Sequence, residues 1–354
     1  MAKHHVLSHY QGSRRNNFTA IRFVLAWMVI FAHSFALQPV PGINMPLGFL
    51  LQGSTTTGQM AVDGFFAISG FLVAGSLVNR GLIDYTLSRA LRLLPALIVC
   101  VFLTVFLLGP SVSSLPPAEF FSNMETYRYL KNALAFPSTV FTLPGVFEAN
   151  AIVGVNGSLW SIPYEVRCYV ALGAAGLLGV PGSNKRGNVL VTVAAFLLLL
   201  SYVNPELFGI LQHVSSALLC FAIGVLFYIN QDHIVLDGRL ALVTLTVLYL
   251  SFGELWFRFV YPLGWTYILF YLAYRTPFLN IDEKIGDCSY GIYIYAFPLQ
   301  QLIAYLAPSG TPYTNMVIAT AAVIPLALIS WKLIEKPALG MKRKLVAHAQ
   351  VTAC

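Results

Sequence analysis

Residues 18–37 read FTAIRFVLAWMVIFAHSFAL, and the reading of this stretch decides the fold. Twenty apolar-rich residues in a helix span about 30 Å, the thickness of a hydrocarbon core. Two of them, Arg22 and His33, are ionisable and lie well inside. A charge placed in hydrocarbon costs at least ~2.5 kcal/mol, so such residues face a cavity, a partner or a substrate path. Eleven residues at ~100° each bring the chain round almost three turns, so Arg22 and His33 project from one face, about 16 Å apart along the axis.

Working outward, the whole chain has the same character. Of 354 residues 57% are hydrophobic and only 10% charged, where a soluble domain carries roughly 25% charged residues. With a mean hydropathy of +0.72, the expected fold is all-α, a polytopic membrane helical bundle of about ten transmembrane helices. Candidate spans lie near 18–37, 60–78, 90–109, 158–180, 188–203, 207–229, 239–252, 256–274, 288–307 and 315–334. The net charge of +7 does not point to nucleic acid, because Lys and Arg gather in alternate loops as the positive-inside rule requires. With the N-terminus in the cytoplasm, Arg80, Arg89, Arg92, Lys185, Arg186, Arg239, Arg275, Lys284, Lys332 and Lys336 fall inside, and Arg128, Lys131 and Arg258 outside. Both termini are expected in the cytoplasm.

The expected organisation is a cytoplasmic tail over 1–17, one membrane domain over 18–335 and a basic cytoplasmic tail over 336–354. The longest hydrophilic stretch, 110–157, is expected outside, with YRYLKNALAF as an amphipathic segment at the interface. Four of the five cysteines fall in expected spans and suggest no disulfide framework. No ligand spacing suggests a metal; His4, His5 and His9 read as a solvated tail. The absence of an internal repeat weighs against inverted-repeat transporters.

Several short blocks carry the chemistry. His33 and Asp63 sit at similar depth if the first two spans pack antiparallel, and a carboxylate holding one imidazole nitrogen leaves the other to take a proton from a hydroxyl. Asp63 opens VDGFFAISGFLVAGSL, whose Gly64, Gly70 and Gly75 permit close helix approach. In LSRALRLLPALI, Arg89 and Arg92 share a helix face at the membrane boundary, where such a pair forks onto phosphate or serves as plain anchoring. In SLWSIPYEVRCYV, Trp160 and Tyr164 suit an interfacial belt, while Glu165 and Arg167, two residues apart, cannot face each other and need other partners. Glu335 closes the last span before Lys336 and Pro337, where helix termination and headgroup contact are the plain reading.

Taken in order, Arg22 with His33, VDGFFAISGFL, RALR, LWSIPYE, GDCSYGIYIYAFP and the final IEKP resemble the acyltransferase 3 family of integral membrane acyltransferases. That family includes bacterial O-acetyltransferases of lipopolysaccharide, exopolysaccharide and nodulation factors. The resemblance implies about ten spans in the bacterial inner membrane, no bound cofactor, acetyl-CoA or another acyl-CoA as cytoplasmic donor, and a glycan or lipid-linked sugar acceptor outside. It makes His33 the catalytic residue with Arg22 its partner, and Arg89 and Arg92 the donor-contacting pair. We add Asp63 and Glu165 to the catalytic set, and Trp160 and Arg167 to the acceptor-binding set. The chain departs from the pattern at Ala296, where many members have histidine, and it shows no C-terminal hydrolase-like domain. Transfer is thus expected from the membrane domain alone or with a separate extracytoplasmic partner. The rival reading is a proton-coupled transporter or flippase using the same buried groups as a relay.

Overall fold

The computed structural model describes residues 6–13, 15–180, 184–204, 206 and 214–342, with Asn184 and Asp282 described by their backbone only. His4, His5, Arg14, the start of the span expected at 207–229 and the tail beyond Lys342 lie outside the described residues. The described chain is helical, with two isolated β-bridges, Val6 with Val235 and Ser113 with Val146. The long helices are α1 (Phe18–Leu37), α2 (Thr57–Leu103), α3 (Ile162–Leu177), α4 (Asn184–Val203), α5 (Ser215–Ile229), α6 (Gly238–Ser251), α7 (Phe257–Arg275), α8 (Ser289–Leu306) and α9 (Pro312–Ser330).

Among the described residues four helical runs are long and apolar enough to cross a membrane: Phe18–Leu37, Thr57–Val112, Lys185–Val203 and Pro312–Lys342. That is fewer than the ten expected, and part of the difference has a clear cause. The spans expected at 60–78 and 90–109 are two helices that meet at a kink at Gly81 inside one 56-residue run, so one run holds both. Only that residue breaks the run, at φ 78° and ψ 170°, a conformation glycine adopts without a Cβ penalty. The 56 residues include a π-turn at Thr104–Leu108. The last run likewise passes through a π-turn at Trp331–Glu335 and continues to Lys342, so residue 336 lies within a helix. Large apolar side chains on these helices face outward, among them Val189, Val193, Phe196 and Val317, as helices bathed in lipid require.

Two compact units emerge, one from the described parts of Met1–Leu25, Pro46–Tyr85 and Arg167–Lys284, the other from Ala26–Met45, Thr86–Val166 and Ile285–Cys354. The first is built around a crossing of α2 and α5. A Cβ on Gly70 would run into the carbonyl oxygen of Phe221, and one on Gly224 into that of Ala67. Each helix therefore offers a glycine to the other's backbone, and Ala67, Cys220 and Leu269 pack into the core beside them. Gly70→Ala or Gly224→Ala is expected to cost about 1–3 kcal/mol by overpacking against rigid backbone. Thermal unfolding in detergent checks this; Gly81→Ala, with nothing within 4 Å of its Cβ, is expected to lose only about 1 kcal/mol from its φ.

In the second unit α8 packs on α9 at Gly291, whose Cβ would lie 3.1 Å from the Cα of Ala327. Four carboxamide and hydroxyl side chains tie α8 and α9 to the second half of α1. Gln300 Nε2 donates to Ile30 O (2.9 Å), Ser34 Oγ (2.7 Å) and Asn315 Oδ1 (3.2 Å). Asn315 Nδ2 donates to Gln38 Oε1 at 3.1 Å, and Gln38 Nε2 to Ala307 O at 2.6 Å. The stretch after α2 folds into short helices, Pro117–Ser122 and Met124–Arg128, followed by a 3-10 turn over Tyr129–Leu134. The expected amphipathic segment thus buries Tyr129 and Asn132, and Asn132 holds both backbone groups of Val140.

Candidate active site

His33 lies in the second unit, on α1 next to Ser34 and thus within the amide ladder just described. Its ring meets Phe297 of α8 edge to face, centroids 4.9 Å apart and planes at 79°. Phe297 is fixed from its other side, because a Cβ on Gly157 would collide with its ring. His33 Nδ1 is buried with no hydrogen-bond partner among the described residues. An imidazole held by ring packing, with one nitrogen unspent, is poised to exchange a proton with a bound group.

Asp63 lies in the first unit and is fully buried. Its Oδ1 accepts from Gln59 Nε2 at 2.8 Å, and its Oδ2 accepts from Ser216 Oγ and Tyr261 OH, each at 2.8 Å. These donors come from α2, α5 and α7, all within the same unit. The carboxylate was expected to orient the His33 ring; the hydrogen bonds it accepts within its own unit tie three helices of that unit together. Arg22, half-buried on α1, and Arg167, exposed on α3, belong to the first unit as well; each has interactions of its own.

The second unit gathers the rest. Trp160 and Tyr164 contact each other edge to face at 6.4 Å, one turn apart around the 3-10 turn Gly157–Ser161 that leads into α3. Asn156 caps this turn by accepting from Ser158 N, and Tyr293 OH joins it to α8 through Ser161 Oγ (2.7 Å) and Ser158 O (2.8 Å). Half-buried Glu165 follows on α3. Ala296, the departure noted above, is fully buried next to Phe297.

Arg89 is half-buried on α2. Arg92, one turn on, is engaged by residues that sequence reasoning did not place in the site. Its guanidinium donates to Asp287 Oδ2 at 2.8 Å and Glu335 Oε2 at 3.2 Å. It lies 5.9 Å from the ring centroid of Tyr290 and 5.6 Å from that of Trp331. Ser289 Oγ donates to the other oxygen of Asp287 at 2.6 Å, and Ser330 Oγ to the other oxygen of Glu335 at 3.1 Å. Glu335 is fully buried and does more than end a helix. Its signal was present in the sequence, since an acid in an apolar run needs a cation, but Arg92 stands 243 residues away.

Apolar helices carry a half-buried histidine, ionisable residues and hydrogen-bonded aromatic blocks, the character of an integral membrane protein with polar chemistry inside its helices. Residues 15–333 match the sequence model of the acyltransferase 3 family, described as an acyltransferase domain, and the chain belongs to that family. It is 27% identical over 343 residues to a protein of Shigella phage Sf6 named O-acetyl transferase, covering 91% of this chain and 96% of that one. It is 25% identical over 375 residues to nodulation protein 10 of Rhizobium leguminosarum bv. viciae, covering 96% and 97% of the two chains. No solved structure matches. The protein is a membrane acyltransferase.

Proposed function

We propose that this enzyme moves an acetyl group from cytoplasmic acetyl-CoA to a hydroxyl of a surface or exported glycan. In this reading it sits in the bacterial inner membrane with about ten spans and both termini in the cytoplasm. The observation that carries the reading is His33: an imidazole with a buried, unpartnered Nδ1, on a helix that also bears Arg22, in a family whose function is acyl transfer. The acetyl group follows from the name of the phage relative, the glycan from the family resemblance.

The chemistry is simple to balance. The acceptor hydroxyl oxygen bonds to the thioester carbonyl carbon, the carbon–sulfur bond breaks, and the hydroxyl proton passes through His33 to the departing thiolate of coenzyme A. Glu165 lies near the tyrosines of α8, where a second proton-exchanging group serves the acceptor side, and Trp160 with Tyr164 offers a sugar an aromatic wall. Arg89 meets the donor phosphates, and Arg167 is assigned to substrate binding.

The test is transfer from radiolabelled acetyl-CoA by protein purified into lipid nanodiscs, with lipid-linked oligosaccharides as acceptors. Labelled acceptor supports the proposal; a protein that neither binds nor turns over acetyl-CoA defeats it. Arg89→Ala removes a charge-assisted hydrogen bond of about 1.5–3 kcal/mol and is expected to raise the acetyl-CoA Kd roughly 10–100-fold in a calorimetric titration.

A further inference from the structure

We propose that Arg92 is a positioning residue that sets His33 through helix α8, and that it does not grip the donor; the part concerning His33 rests on the function proposed above. The argument begins with charge. Arg92 already serves two acids, Asp287 and Glu335. The Glu335 side chain is only 1% exposed and that of Asp287 10%. A phosphate approaching this cation meets two carboxylates that share it, and like charges held a few ångströms apart in a poorly screened site repel. The planar guanidinium is instead matched to its present task, forking to two acids while stacking between Tyr290 and Trp331. Trp331 also fits closely over Gly286, where a Cβ would strike its Nε1.

The clasp fixes the beginning of α8, where Asp287, Ser289 and Tyr290 stand. Phe297 follows ten residues after Asp287 and Gln300 thirteen after it, about 15 and 20 Å farther along the helix. Midway, Tyr293 is bonded to Ser161 and Ser158. At the far end Phe297 abuts the His33 ring, and Gln300 holds Ile30 O and Ser34 Oγ on either side of that residue. Helix α8 is thus a strut with Arg92 at one end and the imidazole at the other. Loosening the clasp lets the strut slide or turn, and a displacement of about 1 Å at a reacting group lowers a rate on the order of 10²-fold.

The experiment compares Arg92→Lys, Glu335→Gln and Arg89→Ala in nanodiscs. It measures acetyl-CoA Kd, kcat, and the rate at which diethyl pyrocarbonate modifies His33, read by mass spectrometry. For Arg92→Lys and Glu335→Gln we expect kcat to fall roughly 10- to 100-fold, donor Kd to stay within about twofold and the His33 modification rate to change several-fold. Arg89→Ala is expected to do the reverse, raising Kd and leaving His33 modification as in the parent. Glu335→Gln keeps the side-chain shape, so it serves if Arg92→Lys does not fold. It also discriminates by sign: were Arg92 a donor ligand, releasing it from Glu335 would tighten acetyl-CoA binding. Tighter binding in Glu335→Gln, or a Kd raised by Arg92→Lys as much as by Arg89→Ala, overturns the proposal. So does unchanged His33 reactivity in both clasp variants. If the parent protein transfers no acetyl group, the proposed function fails, while His33 reactivity still decides whether the strut exists.

Discussion

His33→Ala lowers acetyl transfer by about 10²–10⁴-fold, the range that a positioned acid–base group contributes, with acetyl-CoA bound as tightly as in the parent. Two observations set this expectation. The ring nitrogen Nδ1 is buried and unspent among the described residues, so its proton-exchanging capacity is not consumed by the fold. The ring itself is located by Phe297 and not by a polar partner, so truncation removes an edge contact and leaves the amide ladder beside it unbroken. Stability is therefore expected to change little compared with the rate, and a melting curve with a donor titration separates the two. A variant retaining a rate within about tenfold of the parent would remove His33 from the chemistry.

Asp63→Ala is expected to give the opposite pattern, a large loss of stability. Three side chains donate to this carboxylate, from within α2 and from α5 and α7, and the residue is fully buried. Hydrogen bonds between membrane helices average ~0.6 kcal/mol and reach ~1.7, while bonds to a charged acceptor in water-soluble proteins run to ~3. Three such bonds lost together amount to about 2–5 kcal/mol. Asp63→Asn keeps one accepting oxygen, and the hydroxyls of Ser216 and Tyr261 can turn to accept from its amide, so its loss is expected to be well under half of that. Because the three donors lie in the first unit and none is His33, transfer per folded molecule should fall far less than with His33→Ala. Equal activity losses in Asp63→Asn and His33→Ala, with Asp63→Asn as stable as the parent, would return Asp63 to the chemistry.

The sequence made some of this legible and hid the rest for physical reasons. Hydropathy located α1 at 18–37, and its ends in the structure are Phe18 and Leu37, because an isolated apolar run flanked by polar residues has only one way to be helical in a bilayer. The glycines of VDGFFAISGFL were correctly read as contacts, yet only coordinates show that Gly70 meets a reciprocal glycine at position 224. Between 78 and 90 the two expected spans are indeed separate helices, but a window that sees charge infers a loop where the break is the single residue Gly81. Pairing was least legible. Arg92 and its two acids are 195 and 243 residues apart, and nothing local distinguishes a cation that will be clasped from one that will meet phosphate. The depth of Asp63 was legible but its azimuth was not, and only coordinates show it bonded to Ser216 and Tyr261.

The ladder formed by Gln300, Asn315, Gln38 and Ser34 has a further consequence, for the interpretation of titrations. Carboxamides and a hydroxyl do not change charge anywhere near neutrality, so the scaffold that seats α1 on α8 and α9 keeps its bonding pattern at every pH where an imidazole titrates. A proton added beside this scaffold alters the histidine and leaves the frame that aims it untouched. These side chains therefore add no inflection of their own to a rate–pH curve, whose inflections belong to the ionisable groups, the imidazole itself and the carboxylates at the other end of α8.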